Sequence, residues 1–150
     1  MIVDAHTHIA ESGVGGPFGF SCSADDLVRG MDDSGIDIAV VLPVPGMAAS
    51  RFVFDECRRH ADRLMPPYLP DFSDACLTIE KMQAFYDKFG FHGLKMHPRR
   101  QGISVRQTIV REVLAWANEQ GLPVLFDVFP YGPDFGNPDV QPSAYCDICV

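Results

Sequence analysis

Two histidines and an aspartate occupy alternate positions near the N-terminus, in the run Asp4-Ala5-His6-Thr7-His8. In a β-strand, residues two apart point to the same face and lie about 7 Å apart along the backbone. The imidazoles of His6 and His8 can therefore converge on one divalent cation, and neutral imidazole is a common ligand for zinc. We predict a metal site at His6 and His8, with Asp4 orienting a ligand. The alternative is a surface strand that carries two solvated histidines.

A second group of polar residues lies on later apolar segments. Lys95 and His97 are again two apart, within GLKMHP, and Asp127 interrupts the apolar run LPVLFDVF. Burying such groups costs free energy unless they are paired, deprotonated or modified. Lys95 has three functional options, namely a carbamate that bridges metals, a cation that binds a substrate carboxylate, or an ion pair with Asp4. Asp127 suits a metal ligand or a general base.

From these options we predict that Lys95 and Asp127 are catalytic and that His97 binds substrate. The structural alternatives are a lysine that reaches solvent at the strand end and a loop histidine before Pro98. For Asp127 the alternative is a carboxylate that caps a helix or pairs with Lys95.

These residues need strands to position them, and the hydrophobic pattern alternates strands with helices. A helix begins at Ser23, with Asp25 and Asp26 in its first turn, and Gly35 suits its end. A later helix has Ser104 as its N-cap. The predicted strands are 2–8, 37–42, a segment within 63–73, 91–97 and 122–129, and the predicted helices are 23–34, 47–62, 77–89 and 104–120. Loops at 9–23 and 129–142 flank the strands, and a further helix starts within 143–150.

Strands that alternate with helices indicate parallel βα units within one domain over residues 1–150. Two architectures satisfy the right-handed crossover rule. One is an open doubly wound sheet, flavodoxin-like, with a small-molecule site at its switch point. The other is a (β/α)₈ barrel.

Composition and charge narrow the class of protein. Hydrophobic residues make up 47% of the chain and charged residues 21%, which is typical of a globular domain. A net charge of −8 weighs against binding to nucleic acid or to anionic membranes. No apolar run approaches the ~20 residues that cross a bilayer, and no signal-peptide pattern opens the chain. We expect a small-molecule substrate and neither a nucleic-acid nor a membrane partner.

The cysteine pattern favours a reducing compartment. The five cysteines are an odd number at wide spacings, at Cys22, Cys57, Cys76, Cys146 and Cys149. Reduced thiols in a cytoplasmic protein explain this better than a disulfide framework. The single C-x-x-C at Cys146 and Cys149 is interpreted as chance placement at the start of a helix.

The run IVDAHTHI, taken with GLKMHP and LPVLF, resembles the amidohydrolase superfamily. Within it, the sequence is most similar to the amidohydrolase-related branch that includes aminocarboxymuconate-semialdehyde decarboxylase. The resemblance implies a metal-dependent (β/α)₈ barrel whose site lies at the carboxyl ends of the strands. It implies that His6 and His8 are metal ligands and that Lys95 is the strand-four lysine of this branch. On this resemblance the chain corresponds to about the first five of eight βα units.

The sequence departs from the family pattern at the fifth strand. Asp127 stands where the family usually has a metal-binding histidine, and the family's later histidine and aspartate fall on strands beyond residue 150. The leading hypothesis is a metal-dependent hydrolase or decarboxylase, with Zn²⁺ as its metal, acting on a small amide, lactone or carboxylate. The alternative is a truncated, non-catalytic scaffold or interaction module of the same fold. Exposed sheet edges would favour a homo-oligomer.

Overall fold

The computed structural model describes residues 1–15, 19–74 and 76–128. The chain divides into two compact units, a first unit over residues 1–69 and a second unit over residues 70–150. Across the described ranges, none of the helices is both long and apolar enough to cross a membrane.

The first unit is built on a three-stranded parallel sheet. Its elements are β1 (Val3–Thr7), β2 (Val14–Gly15), β3 (Phe20–Ser21), α1 (Ala24–Ser34), β4 (Ile38–Val41), α2 (Ser50–Arg58) and β5 (Leu64–Met65). The sheet order is β1-β4-β5, and β2 and β3 form a small antiparallel hairpin. Each crossover between the parallel strands contains a helix, so the predicted βα repeat is confirmed here.

Helix α1 shows why its boundaries could be predicted. The Ser23 hydroxyl accepts from the backbone N–H of Asp26, and the Asp26 carboxylate accepts from the backbone N–H of Ser23, which completes a capping box. Hydrogen bonds from the Ser21 and Ser23 hydroxyls lower the pKa of Asp26 to about 2. Gly35 ends the helix with φ 70°, a backbone conformation that glycine adopts without a Cβ clash.

The core of the first unit lies between the sheet and these helices. Ala39 and Val41 of β4 are fully buried, whereas Ile38 and Val40 on the opposite face are only partly buried. Strand β4 therefore buries one face completely and the other only in part. The core residues are Ile9, Ala24, Met31, Ala39, Val41, Ala48, Val53, Cys57 and Leu64.

The second unit is built on a two-stranded parallel sheet. Its described elements are α3 (Ile79–Phe89), β6 (Leu94–Met96), α4 (Pro98–Gln101), α5 (Thr108–Glu119) and β7 (Val124–Phe126). Strand β6 pairs with β7, in register from Leu94 opposite Val124 to Met96 opposite Phe126. Met96 packs with Ile103 and Val110 in one core cluster. A hydrogen bond of 2.8 Å from Trp116 Nε1 to Gln83 Oε1 joins α5 to α3.

Several predicted boundaries need correction. Helix α2 is shorter than 47–62 because residues 44–48 close a tight turn, with Val44 and Ala48 bridged, and because the chain turns again after Arg58. The strand expected within 63–73 is only Leu64–Met65, since the prolines that follow cannot donate to a ladder. The loop expected at 9–23 contains the β2–β3 hairpin.

The start of α5 was also predicted wrongly. Ser104 is not its N-cap, because its hydroxyl accepts from the backbone N–H of Arg106 within a separate turn, and the helix begins at Thr108. The short helix α4 was not predicted. The loop at 129–142, the helix start within 143–150 and the Cys146–Cys149 pair lie outside the described residues.

Candidate functional site

The two N-terminal histidines lie at the carboxyl end of β1, beside an irregularity in its pairing with β4. Asp4 pairs with Ala39 and Thr7 pairs with Val41, so β1 has three steps where β4 has two. The extra residue is a bulge, a device that re-aims side chains near functional sites. At the bulge, the backbone N–H of His6 donates to Asp4 Oδ1 at 3.0 Å instead of extending a regular ladder.

The imidazoles of His6 and His8 meet at their Nε2 atoms, which lie 3.1 Å apart. The rings are nearly perpendicular, with centroids 5.0 Å apart and an interplanar angle of 83°. The intervening Thr7 is buried, and its hydroxyl donates to the carbonyl of Val40 at 2.9 Å. The structure therefore brings the two Nε2 atoms together, with His6 exposed and His8 half-buried.

A backbone carbonyl orients His8. Its Nδ1 lies 3.0 Å from the carbonyl oxygen of Leu42, the residue that follows β4. A carbonyl can only accept a hydrogen bond, so Nδ1 carries the proton and Nε2 of the neutral ring keeps its lone pair. The sequence predicted Asp4 in an orienting role, and in the structure its carboxylate accepts a hydrogen bond from the His6 backbone N–H.

A cavity of about 330 Å³ adjoins this part of the first unit. Asp4, His8 and Asp26 are among its polar lining residues, and Leu27 and Met31 are among its apolar ones. Its size is within the range of pockets that hold small molecules. Cys22 Sγ also lies 3.4 Å from the carbonyl oxygen of His8, which ties the β3 end to the histidine segment.

The second unit brings together Lys95, His97 and Asp127. Lys95 lies on β6, and His97 and Asp127 directly follow the paired ends of β6 and β7. The backbone N–H of Asp127 donates to the carbonyl of Met96 at 2.8 Å, which continues the ladder by one step. The carboxylate thereby reaches the imidazole, and Asp127 Oδ2 lies 3.1 Å from His97 Nδ1.

Burial dominates the electrostatics of this second group. Lys95 is 1% exposed, and desolvation lowers the pKa of its ammonium, partly offset by the charge of Asp127. His97 is 6% exposed, and desolvation lowers the pKa of its imidazole, against a smaller opposing effect from Asp127. A lowered pKa keeps His97 neutral at pH 7, so it can act as a hydrogen-bond acceptor.

Gln101, which was not among the predicted site residues, holds His97 in place. Its Oε1 accepts from the backbone N–H of His97 at 2.7 Å, and its Nε2 donates to the carbonyl of Pro70 at 2.6 Å. The backbone N–H of Gln101 also donates to the carbonyl of His97 at 2.8 Å. The only sequence signal was Pro98, which suits the first position of a helix and fixes α4 directly after His97.

Within residues 1–15, 19–74 and 76–128, no group of three or more His, Cys, Asp or Glu side chains is arranged to hold a metal ion. In the first unit, His6 and His8 supply two convergent nitrogens. In the second unit, Nδ1 of His97 lies 3.1 Å from the carboxylate of Asp127.

Comparison with known proteins identifies the fold. Neither a family model nor a curated protein matches the chain. An uncharacterized TIM-barrel protein from Bordetella bronchiseptica aligns with a TM-score of 0.70 at 15% identity, over 98% of this chain and 63% of that one. A 2,6-dihydroxybenzoate decarboxylase from Rhizobium aligns with a TM-score of 0.62 at 16% identity, over 90% of this chain and 52% of that one.

A third similar structure is a probable 2-pyrone-4,6-dicarboxylic acid hydrolase from Acinetobacter baumannii, solved with citric acid bound. It aligns with a TM-score of 0.63 at 10% identity, over 83% of this chain and 48% of that one. The chain thus spans about half the length of several solved structures that it matches. The fold is α/β, made of the parallel βα units of a TIM barrel.

Proposed function

We propose that this chain is part of a metal-dependent hydrolase or decarboxylase of the amidohydrolase superfamily, acting on a small amide, lactone or carboxylate. The observation that carries the proposal is the 3.1 Å separation of His6 Nε2 and His8 Nε2. The Rhizobium decarboxylase and the A. baumannii hydrolase support the two reaction classes, since each shares the fold.

The histidine pair fits a zinc ion. Two nitrogens that each lie about 2.0–2.1 Å from zinc are about 2.9 Å apart at a right angle and about 3.4 Å apart at a tetrahedral angle. The observed 3.1 Å lies between these limits. His8 also has the tautomer that a metal requires, because the Leu42 carbonyl holds the proton on Nδ1. We therefore assign His6 and His8 as two of the metal ligands.

A bound zinc would supply a water of lowered pKa and would polarise a carbonyl or carboxylate. The residues of the chain itself orient the metal-binding rings and accept protons. The carbonyl of Leu42 fixes the His8 ring, and the bulge in β1 aims the His6 ring at the same point. A catalytic zinc normally has three protein ligands, so the pair provides most of one such set.

In the second unit we assign Lys95 and Asp127 as catalytic residues and His97 as a substrate-binding residue. The ammonium of Lys95 suits a substrate carboxylate, because a buried cation gains most from a partner of opposite charge. The charge of Asp127 acts on both Lys95 and His97. It suits the role of a general base, because its side chain is 25% exposed and can reach a ligand proton.

The test is zinc binding and turnover by the full 150-residue chain. We expect the wild type to bind one equivalent of zinc and the variant with both His6→Ala and His8→Ala to lose it, measured by elemental analysis after dialysis. His92→Ala is the matched control, since His92 is exposed and lies outside both clusters. Equal zinc in the wild type and the double variant would remove the proposal.

Turnover is then assayed on amide, lactone and carboxylate substrates with the zinc-loaded chain. We expect a rate that falls at least a hundredfold in the double variant, since the metal activates the water. Zinc binding without any turnover would favour the non-catalytic scaffold of the same fold.

A further inference from the structure

Neither nitrogen of the buried His97 ring makes a well-aligned hydrogen bond among the described residues, and the side chain is 8% exposed. Nδ1 has the Asp127 carboxylate 3.1 Å away, whereas no contact within the described residues is found for Nε2. Buried polar atoms in native proteins are nearly always paired with protein groups or with a bound molecule. An unpaired imidazole nitrogen therefore marks a position where a ligand group can bind.

Asp127 determines what kind of group that is. Its Oδ2 lies 3.1 Å from His97 Nδ1, an ion-pair distance at an angle away from a linear hydrogen bond. Carboxylate oxygens accept hydrogen bonds, so the single proton of a neutral ring is drawn to Nδ1. Nε2 is then an acceptor, and the ligand must present an O–H or N–H donor to it.

The backbone around this acceptor is already fixed. Gln101 bridges the His97 N–H and the Pro70 carbonyl, at 2.7 and 2.6 Å. A position that is held before the ligand arrives loses little conformational freedom on binding, which favours even a small ligand. The backbone that carries the His97 ring is thus held in place before a ligand arrives.

Two cations act on the His97 ring besides the Asp127 carboxylate, in a chain whose net charge is −8. Lys95 lies on β6, two residues before His97, and is 1% exposed. The charges of Lys95 and Arg100 both act on the His97 ring, where they lower its pKa. The ligand that fits these charges is an anion, and the cation that it would meet beside His97 is Lys95.

We propose that His97 Nε2 and Lys95 form a binding site for a small carboxylate that carries a hydroxyl group. The hydroxyl donates to Nε2 of His97, and the carboxylate binds the ammonium of Lys95. This inference rests on the proposed function, because that function makes the ligand of this site the substrate. The two substrate groups that the site recognises are the carboxylate and the hydroxyl. In this binding step Asp127, in addition to its proposed role as a general base, holds the ring proton of His97 on Nδ1.

The test compares glycolate with acetate, two carboxylates that differ by one hydroxyl group. Binding is measured without metal, in the presence of EDTA, from the ring ¹⁵N signals of His97 in the full 150-residue chain. We expect glycolate to bind about fivefold more tightly than acetate, the gain that one hydrogen bond typically provides.

Asp127→Asn separates the proposed role from a purely structural one. The Asn amide can donate to Nδ1, which moves the ring proton to Nε2 and removes the acceptor. We expect the ¹⁵N shifts to report this change of tautomer and the glycolate preference to disappear. Lys95→Met should weaken glycolate and acetate equally and leave their ratio unchanged.

Equal binding of glycolate and acetate by the wild type would overturn the inference. A glycolate preference that survives Asp127→Asn would overturn it as well. Both results are independent of the zinc experiment, which reports on His6 and His8 alone, so failure of one proposal is distinguishable from failure of the other.

Discussion

A Cβ atom added to Gly93 would lie 2.8 Å from the carbonyl oxygen of Pro123, closer than real Cβ contacts allow. The same carbonyl accepts from the backbone N–H of Leu94 at 2.9 Å, the first bond that joins β6 to β7. Gly93 therefore permits the close approach of the two strands that bring His97 to Asp127. The spacing of this second cluster depends on the absence of a side chain at this position.

Gly93→Ala should destabilise the protein. The clash is with backbone, which cannot move aside without breaking the Leu94 bond, so we expect the free energy of unfolding to fall by about 1–3 kcal/mol. Gly30→Ala is the matched control, because Gly30 lies inside α1 with no atom within 4 Å of an added Cβ. It should raise that free energy by about 0.5–1 kcal/mol. Urea unfolding measures both, and a neutral Gly93→Ala would contradict the strand spacing.

Lys95→Met should stabilise the protein at pH 7. The variant keeps a long unbranched side chain at a site that is 1% exposed, and it removes an ammonium whose pKa burial has lowered. Replacing a buried charge with an apolar side chain of similar shape often raises stability, and we expect a gain of about 1–2 kcal/mol. Lys88→Met, at an exposed position of α3, should change stability by less than about 0.5 kcal/mol.

The comparison of thermal midpoints checks this prediction. A loss of stability in Lys95→Met would mean that the attraction between Lys95 and the charge of Asp127 outweighs the desolvation of Lys95. A gain, together with loss of carboxylate binding, is the pattern of a residue that is kept for function at a cost in stability.

Stability should fall as the pH decreases from 7 to 5. The folded state lowers the pKa of His97, so the unfolded chain takes up a proton near its ordinary pKa of about 6.5 while the folded protein does not. This contribution is fully present above that pH and decreases below it. Asp127, Lys95 and Arg100 are the charged groups that act on the ring, and Asp127 opposes the effect.

His97→Asn should remove much of this pH dependence, because asparagine does not titrate in this range. The measurement is the difference in urea midpoint between pH 7 and pH 5, with His92→Asn as the exposed control that keeps the wild-type difference. An unchanged difference in His97→Asn would show that other groups cause the acid sensitivity.

The order of strands and helices was predictable because it depends on local patterns. Helix α1 begins at a capping box formed by Ser23 and Asp26 and ends at Gly35, and all three residue types are recognisable in the sequence. Ser104 carries the same signal without effect, because its hydroxyl is used within its own turn. The β2–β3 hairpin pairs only two residues on each side, which is too short for an alternating pattern to emerge.

The site residues were predictable by type, but their orienting partners were not. His6, His8, Lys95, His97 and Asp127 stand out because titratable residues are rare on apolar strands. The partner of His8 is the backbone carbonyl of Leu42. Every residue has a backbone carbonyl, so the sequence does not indicate which one accepts this hydrogen bond. Gln101 reaches Pro70 across 31 residues, a contact that depends on the folded chain.

The bulge in β1 makes the placement of the histidines sensitive to the length of the strand. Deleting the extra residue between Asp4 and Thr7 would restore a regular ladder with β4, and it would also turn the imidazole at position 6 away from its neighbour. A smoother first strand would therefore separate the two ring nitrogens on which the proposed metal site depends.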